Sequence, residues 1–451
     1  MTLSRQLANF IVSTNYENLP KDVVEFTKLC FLDWLGSAIG GESKAPIRII
    51  REMVLESGGH PQATLISGEK SSVANAALYN GAASHVLELD DIHKASIIHA
   101  ATVVIPAALA VAQWKGKSGK DLIAAIAIGY DVSYRIGEAV SPSHYYYWHN
   151  TATCGTFGAA AAAAKLLDLD AEQTVMALGS AGTQAAGLWE FIEDGAMSKQ
   201  LHTGKAAMNG VISALLGGKN FTSATRILEG NRGFFKAMSS ETDGAAKITD
   251  RLGEIFKITE NSFKVHASCR HTHPVVDLVL EIGRELGGDY SRIKRIDIQT
   301  YGTVIDITDN PIPKTLYEAK FSVQFCAALA IVRRSAGLLD FTDETLHHPD
   351  IRNLIGKINV SVDPEINGMY PEKWGARVVV ELTSGERLTR VTEFPKGDPE
   401  NPVQSEDLVQ KFKAITADLS ASDRDYFIDT VMKLEQFRDL REFFPAGKRV
   451  E

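Results

Sequence analysis

Residues 85–99 (HVLELDDIHKASIIH) combine three histidines and three carboxylates, a composition suited to moving protons at carbon. The stretch lies directly before an almost purely apolar helical segment, and His99 stands at the junction. An imidazole titrates near neutral pH, and acidic neighbours can tune it. The structural alternative is a solvated loop whose acids favour a helix N-terminus. We predict that His99 transfers protons.

Two further polar stretches precede helical segments that are rich in small residues. Residues 145–151 (YYYWHNT) set His149 among aromatic rings, which suits a pocket wall and equally plain packing. Residues 198–205 (SKQLHTGK) carry two lysines at a helix start, where backbone N–H groups favour a carboxylate. A solvated basic turn is the alternative there. The pattern predicts that Lys199 and His202 bind an anionic substrate.

The densest polar stretch, residues 264–273 (KVHASCRHTH), has three histidines and one cysteine within eight residues. These types are metal ligands, but at these separations they lie on different sides of a helix or strand, and no carboxylate is close in sequence. The chain also has no glycine-rich phosphate loop, no dinucleotide-binding glycine motif and no HExxH or paired CxxC. We therefore predict chemistry by side chains alone, without metal, nucleotide or other cofactor.

The elements that position these residues fall into three parts of the chain. Residues 1–260 read as a large all-helical domain, because helix-length segments such as 100–115 are apolar on nearly every side. Residues 261–394 read as a smaller α+β domain with a short antiparallel sheet, including a hairpin at Thr383-Ser384-Gly385. Residues 395–451 turn helical again and are expected to rejoin the first domain. The predicted fold class is mainly α.

The overall composition of the chain argues against some classes of partner and cellular location. The chain of 451 residues carries a formal net charge of -9, which argues against nucleic acid or an anionic membrane as the main partner. The most apolar stretch, 100–114, is shorter than the roughly 20 residues that span a bilayer and contains Pro106. The N-terminus has no signal-peptide pattern, and four widely spaced cysteines suit a reducing compartment. We expect a cytoplasmic protein.

Seven stretches in this order resemble the MmgE/PrpD family, which includes 2-methylcitrate dehydratase, cis-aconitate decarboxylase and iminodisuccinate epimerase. The resemblance covers essentially the whole chain. The matching blocks are LANFIVSTNYENLPKDVVEFTKLCFLDWLGSAIGG, HVLELDDIHKASIIHAATVVIPAALAVAQ, WHNTATCGTFGAAAAAAKLLDLD, KQLHTGKAAMNGVISALL, FKVHASCRHTHPVVD, EAKFSVQF and FPKGDPENPV.

The resemblance implies a helical domain formed by both chain ends, an inserted α+β lid, a homodimer, no cofactor, and an active site in the cleft between domain and lid. Its motifs point to His99, His149, Lys199 and Lys264 as site residues. Several positions depart from the pattern of dehydratase and decarboxylase relatives, which puts the particular reaction in doubt. These are Glu88 in place of a frequent Asp, Ile92 in place of Thr, Ala100 in place of Pro and Cys269 in place of His.

Dehydration, decarboxylation and epimerisation next to a carboxylate share one physical problem. A carbon acid gains or loses a proton while negative charge spreads onto a carboxylate, and cations in a water-poor site stabilise that charge. We expect Lys199, Lys264 and Arg270 to hold the carboxylates of a small di- or tricarboxylate, and substrate bridging the two domains to favour closure. Among the catalytic candidates, Glu88 or Asp91 orients His99 or sets its pKa, His149 is a partner acid, and Cys269 is an opposing group in an epimerase.

The leading function is therefore a cofactor-independent lyase that dehydrates or decarboxylates a small polycarboxylate such as 2-methylcitrate or cis-aconitate. An isomerase or epimerase acting on a substituted succinate such as iminodisuccinate is the first alternative, because Ile92 and Cys269 leave the lyase pattern. A metal-dependent hydrolase built on His266–His273 is a more distant one. A non-catalytic binding protein is a further option, but it gives no reason for histidines beside acids.

Overall fold

The computed structural model describes residues 1–444, which fold into two compact units. The helical unit comprises Met1–Asn261 and the C-terminal segment from Gln404, and the α+β unit comprises Ser262–Val403. Each unit has its own core and is described separately below. The last seven residues of the predicted segment 395–451, residues 445–451, lie outside the described part of the chain.

The second boundary between the units lies later than the sequence predicted, at 403/404 instead of 394/395. The intervening turn is bonded to the α+β unit: the Phe263 N–H donates to the Gly397 carbonyl at 2.9 Å, and Arg270 forms an ion pair with Asp398. These partners are far apart in sequence, so local patterns could not show that Pro395–Pro399 packs as part of the α+β unit.

The helical unit is built from long helices whose central members are buried on all sides. Every residue from Ala101 to Gln113 is buried, in agreement with a helix that is apolar all round. None of the described helices is both long and apolar enough to cross a membrane. The longer helices of this unit are α1 (Leu3–Ser13), α2 (Lys21–Gly41), α3 (Ala45–Ser57), α4 (Val73–His85), α5 (Ala101–Lys115), α6 (Gly119–Val140), α7 (Asn150–Leu166), α8 (Ala171–Gly182), α9 (Ser198–Gly217), α12 (Ser405–Ile415) and α13 (Ala421–Met432), with a two-stranded hairpin formed by β1 (Ala63–Thr64) and β2 (Lys70–Ser71).

Glycines let α4 and α9 approach closely, which sets the end of one helix beside the start of the other. A Cβ atom on Gly204 would lie only 2.2 Å from the carbonyl oxygen of Leu78, and one on Gly81 would lie 3.0 Å from the Cα of Gly204. Any side chain at these positions would push the helices apart. The close contact brings the region around His85, the last residue of α4, near the first turn of α9.

The α+β unit contains a four-stranded sheet formed by β3 (Ile293–Thr300), β4 (Ile358–Val362), β5 (Ala376–Leu382) and β6 (Arg387–Thr392), with strand order β4-β3-β5-β6. On β5 the burial alternates, with Ala376, Val378, Val380 and Leu382 facing inward, as expected for a sheet with one covered face. Gly385 supplies the positive φ (89°) of the β5–β6 hairpin turn. The principal helices of this unit are α10 (His273–Glu285) and α11 (Val323–Arg333).

The predicted fold class, mainly α with a smaller α+β unit, is confirmed. One detail of the predicted sheet was wrong. The pairs β3–β5 and β5–β6 are antiparallel, but β3 and β4 run parallel, with Ile296 opposite Ile358. A parallel pair requires a long crossover connection. The segment between β3 and β4 includes several helices, so the chain has room to return and enter the sheet in the same direction.

Candidate active site

The loop between α4 and α5 folds back on itself and gathers the polar residues of the stretch 85–99. The His93 N–H donates to the Ile98 carbonyl at 2.9 Å, which closes a turn. Two residues other than glycine have left-handed backbone angles, Glu88 (φ 59°) and Ile97 (φ 54°). This conformation is unfavourable for a β-branched residue, and such strain concentrates at functional sites.

His85, Asp90 and His99 form a buried group that we call the histidine–aspartate cluster. Asp90 Oδ2 lies 2.8 Å from His85 Nδ1 and 3.0 Å from His99 Nδ1. Asp90 and His85 are fully buried and His99 is 8% exposed. Burial alone would raise the pKa of the Asp90 carboxyl, but the two histidines hold that pKa well below its usual range. The cluster therefore keeps one negative charge shared by two imidazoles.

The backbone of the loop also fixes the orientation of His99. Its Nδ1 lies 2.6 Å from the Asp91 carbonyl oxygen, and its backbone N–H donates to Thr151 Oγ1 at 3.1 Å. Both acceptors near Nδ1 require a proton on that nitrogen, so Nε2 is the basic atom of the neutral ring. The Asp90 carboxylate and the Asp91 backbone carbonyl both lie beside His99 Nδ1. The predicted role of Glu88 or Asp91 in orienting His99 stays a prediction.

The Asp91 side chain anchors the loop to the surrounding helices. Its Oδ2 accepts from Tyr130 Oη and Asn261 Nδ2, both at 2.7 Å, and its Oδ1 accepts from the Ala101 N–H at 3.2 Å. Burial raises the pKa of this carboxyl to about 7, and the nearby charges of Asp33 and Asp90 add to the effect. Asp91 therefore supports the start of α5 and the turn that precedes it.

On the other side of His85, the residues predicted in the second and third stretches converge. Lys199, in the first turn of α9, forms a buried ion pair with Glu88. His149 caps the start of α7, and its Nδ1 lies 3.4 Å from His202 Nδ1. The ring centroids of His85 and His149 are 5.7 Å apart with nearly parallel planes, while those of His85 and His99 are 5.0 Å apart.

The His149 and His202 rings are held neutral by their surroundings. Burial lowers the pKa of His149 well below its usual value, and the neighbouring His202, His85 and Lys199 lower it further. Burial also lowers the pKa of His202 to about 4. Trp189 packs edge-on against His149, with ring centroids 5.3 Å apart. An apolar wall beside neutral imidazoles suits a water-poor site.

The helical unit thus brings together six residues that the sequence analysis selected: Glu88, Asp91, His99, His149, Lys199 and His202. Their roles stay predictions. Sequence reasoning missed His85 and Asp90 as site residues, although both lie in the stretch that drew attention. A carboxylate five residues after a histidine gives no recognisable spacing, and only the strained turn brings the two side chains into contact.

In the α+β unit, Arg270 and Cys269 have hydrogen-bond partners within their own unit. The Arg270 guanidinium pairs with Asp398 at 2.5 Å and donates to the Lys396 carbonyl at 3.0 Å, so it ties the turn before α12 to the domain core. The Cys269 N–H donates to the Lys320 carbonyl at 2.8 Å. Lys264 is 1% exposed. Roles of Lys264, Cys269 and Arg270 in substrate binding or catalysis stay predictions.

The three histidines of the stretch 264–273 are each engaged in a different contact. His266 Nε2 lies 2.8 Å from Asp277 Oδ1, and His271 stacks on Trp374 with centroids 4.3 Å apart. His273 Nδ1 faces Arg270 at 2.9 Å. Within residues 1–444, these histidines do not join any group of three close metal-type ligands. The arrangement gives no support to the hydrolase alternative at His266–His273.

Two groups in the helical unit do have donor types and spacings that a metal ion can use. One is the histidine–aspartate cluster. The other, which we call the His93–glutamate cluster, consists of His93, Glu138 and Glu260, and the ammonium of Lys257 lies 3.1 Å from an oxygen of each glutamate. That lysine already supplies the positive charge that a metal ion would bring.

Comparison with known proteins agrees with the resemblance seen in the sequence. The model of the MmgE/PrpD N-terminal domain matches residues 5–246, and that of the MmgE/PrpD C-terminal domain matches residues 266–436. The chain is 25% identical to a cis-aconitate decarboxylase-like protein, oryM, of Aspergillus oryzae, covering 98% of this chain and 96% of that protein.

Two further relatives are cis-aconitate decarboxylases. The Aspergillus terreus (strain NIH 2624 / FGSC A1156) protein is 27% identical, covering 94% of this chain and 91% of that protein. The Homo sapiens protein is 23% identical, covering 97% and 93%. With both family domains matched in order over most of its length, this chain belongs to the MmgE/PrpD family.

Proposed function

We propose that this protein is a cofactor-independent lyase that decarboxylates or dehydrates a small polycarboxylate, with cis-aconitate as the first candidate substrate. The relatives that carry the name cis-aconitate decarboxylase support the reaction class. The observation that carries the proposal is the histidine–aspartate cluster, in which a buried carboxylate orients His99 and leaves Nε2 as its basic atom. Such an imidazole can deliver or remove a proton at neutral pH.

In decarboxylation, the bond between carbon and one carboxylate breaks and carbon dioxide leaves. The electron pair stays on the carbon skeleton, where an adjacent double bond and carboxylate delocalise it. His99, protonated at Nε2, then gives that proton to carbon, and water restores it before the next turnover. In dehydration, His99 instead accepts a proton from carbon as a hydroxyl group leaves with a proton from a second acid, a role that burial makes unfavourable for His149.

A polycarboxylate needs positive charge, and in the helical unit Lys199 is the candidate to supply it. Glu88 already pairs with Lys199, so a substrate carboxylate must share or replace that partner. Displacing a buried carboxylate is costly, which favours ligands with more than one carboxylate. We propose that Lys264 provides a second cation. Arg270 is the weaker candidate, because Asp398 and a backbone carbonyl occupy its guanidinium.

A single assay tests the reaction class. The protein is incubated in D2O with cis-aconitate, 2-methylcitrate or iminodisuccinate, and proton NMR spectra are recorded over time. We expect cis-aconitate to lose one carboxylate and gain one deuteron per molecule. Alkene formation from 2-methylcitrate would identify a dehydratase, and deuterium exchange at a chiral carbon without loss of a group would identify an epimerase. No change in any substrate, with folded protein, would end the proposal.

We also propose that the protein acts as a cytoplasmic homodimer. Exposed apolar side chains near α7 and the start of α9 support self-association, because such patches mark interaction surfaces. All four cysteines are buried and none forms a disulfide bond within residues 1–444, which suits a reducing compartment. Light scattering on the purified protein gives the oligomeric state, and cell fractionation gives the location. The exposed side chains are Tyr146, Tyr147, Leu188, Met197 and Leu201.

A further inference from the structure

Asp90 is held in place by histidines alone. Among the described residues, the hydrogen-bond partners of its carboxylate are His85 and His99, and both contact the same oxygen, Oδ2. The other oxygen, Oδ1, is buried and has no partner within residues 1–444. A carboxylate with so few partners depends on each of them for its position and for its negative charge.

The Asp90 carboxylate and the Asp91 carbonyl both help to orient His99, but they differ in what they do for its charge. The Asp91 carbonyl is a second acceptor for His99 Nδ1, but a neutral carbonyl does little to stabilise the positive ring that forms when Nε2 gains a proton. A nearby carboxylate does both, since it accepts the Nδ1 proton and offsets the charge of the imidazolium. The quality of His99 as an acid or base therefore rests on Asp90.

His85 has no simpler reason to be an imidazole. Its Nε2 is buried without a partner in the described residues, whereas a leucine or phenylalanine would fill the same space without burying a nitrogen. The polar contact that His85 does make is the one from Nδ1 to Asp90. Its ring also lies between the other two histidines, with centroids 5.0 Å from His99 and 5.7 Å from His149.

We infer that His85 is the positioning residue of the site: its Nδ1–H holds the Asp90 carboxylate against His99, so that His99 presents Nε2 as the proton-transferring atom. This inference rests on the proposed function for its effect on turnover. The predicted arrangement of protons on His99 does not depend on the proposed function, because it can be measured without substrate.

Three variants of the full-length protein separate this role from packing. His85→Leu removes the donor and keeps the volume, His85→Asn keeps a donor near the position of Nδ1, and Asp90→Asn removes the charge. We expect His85→Leu and Asp90→Asn each to lower kcat for cis-aconitate about 10- to 100-fold, with KM changed less than about threefold. His85→Asn is expected to recover most of the activity, and the double variant His85→Leu/Asp90→Asn to be no worse than either single variant.

A matched control is His144→Leu, which removes another fully buried histidine of the helical unit. His144 contacts the Met238 carbonyl at 2.9 Å and Thr153 Oγ1 at 2.7 Å, and it is not part of the cluster. We expect it to lower stability with kcat within about threefold of the wild type. Equal losses in His85→Leu and His85→Asn would show that the ring matters for packing only, and would overturn the inference.

The substrate-independent readout is the tautomer of His99, followed by nitrogen-15 NMR of histidine-labelled protein. We expect wild type and His85→Asn to carry the His99 proton on Nδ1, and His85→Leu to shift part of it to Nε2, because the Asp91 carbonyl alone then holds the Nδ1 proton. A wild-type His99 protonated on Nε2 alone would overturn the inference even if the variants do not fold. If no polycarboxylate is turned over but the tautomer depends on His85, the proposed function fails and the positioning role stands.

Discussion

Two histidine–carboxylate groups of the helical unit draw on the same polar stretch, yet they are built differently. In the histidine–aspartate cluster, one fully buried carboxylate serves two imidazoles, and no lysine contacts it in the described residues. In the His93–glutamate cluster, His93 Nε2 lies 3.4 Å from Glu260 and 3.8 Å from Glu138, and Lys257 lies between the two acids.

The surroundings of the two groups differ as well. The side chain of Glu260 is 40% exposed, so water reaches that cluster. His93 stacks flat on Tyr134, with centroids 4.1 Å apart, and its Nδ1 contacts Ser96 Oγ at 2.8 Å. Although partial burial alone would raise the pKa of Glu260, His93 and Lys257 lower that pKa to about 2. Every charge in this cluster has an opposite charge or water beside it.

The comparison shows how to tell a structural histidine from a chemical one when both lie beside acids. In the His93–glutamate cluster the charges of the glutamates are offset by Lys257 and partly exposed to solvent. This arrangement is typical of a structural contact that fixes a loop to its neighbours. Both clusters bury atoms without a hydrogen-bond partner in the described residues. Glu138 Oε1 has the Lys257 ammonium 3.1 Å away, whereas His85 Nε2 and Asp90 Oδ1 have no ion pair to a lysine or arginine within residues 1–444. Burying polar atoms without hydrogen-bond partners lowers the free energy of unfolding, so the stability of the fold gives no reason to keep them.

The largest expected effect separates the two clusters by activity. His99→Asn removes the proposed proton-transfer atom, so we expect kcat for cis-aconitate to fall about 10³-fold or more. The matched substitution His93→Asn removes a histidine of the same loop that we assign a structural role, and we expect less than about a tenfold loss. Initial rates of carbon dioxide release measure both.

Circular dichroism and thermal unfolding of each variant control for loss of fold. Comparable losses of kcat in the two correctly folded variants would erase the distinction drawn between the clusters. A large loss in His93→Asn alone would reverse it and move the proposed site to the other side of the loop.

The second prediction compares the lysines by stability. Lys199→Met leaves the Glu88 carboxylate buried without its lysine, and breaking a buried pair from one side costs about 3–5 kcal/mol. Lys257→Met breaks a partly exposed network and is expected to cost about 1 kcal/mol or less. Urea unfolding of the helical signal measures both. The double variant Glu88→Gln/Lys199→Met removes both charges, and we expect it to regain most of the loss.

A third prediction uses pH, and it concerns Asp91, whose backbone contacts His99. Its pKa is raised to about 7 in the folded protein, above its unfolded value near 3.8. The stability that this group contributes is therefore fully present below about pH 4 and is lost as pH rises toward 7. Relative to wild type, Asp91→Asn should gain about 2–4 kcal/mol between pH 4 and pH 8.

Glu260→Gln is the control, because the pKa of Glu260 is shifted in the opposite direction and its effect on stability should change with pH in the opposite sense. The folded pKa of Glu260, about 2, lies below its unfolded value near 4.5. Its contribution is present above about pH 4.5 and disappears as pH falls toward 2, and it is small because the side chain is partly exposed. Denaturant unfolding at several pH values tests both variants. If the difference in unfolding free energy between Asp91→Asn and wild type did not change with pH, the raised pKa of the buried Asp91 carboxyl would be contradicted.

The secondary structure could be predicted because its signals are local. Alternating β-branched residues and Gly385 located β5 and β6 to within a residue, and apolar runs located α5. Strand order and direction are not local, so the parallel pairing of β3 with β4 was missed. The second domain boundary was missed for the same reason, since Arg270 and Asp398 are distant in sequence.

The candidate site could be predicted by residue type but not by pairing. Seeing histidines beside acids was enough to select the stretch 85–99, and the position of His99 before an apolar helix, together with the family resemblance, selected it within that stretch. The sequence could not show which acid faces His99. Neighbouring carboxylates such as Asp90 and Asp91 point in different directions, and left-handed backbone angles at Glu88 and Ile97 decide those directions. Neither residue is one that pattern reasoning places in that conformation.

The smallest expected effect concerns metal removal, and it decides how the histidine–aspartate cluster works. Two ligand atoms on a tetrahedral zinc ion, each about 2.0–2.1 Å from the metal, are separated by roughly 3.3 Å. Here the Nδ1–Oδ2 distances are 2.8 and 3.0 Å, which are hydrogen-bond lengths. We therefore expect dialysis against a chelator to leave kcat within about twofold of its starting value. If activity were lost and then restored by zinc, the two imidazoles would be metal ligands instead of proton carriers. The distinction between a catalytic and a structural cluster would then rest on which one binds the ion.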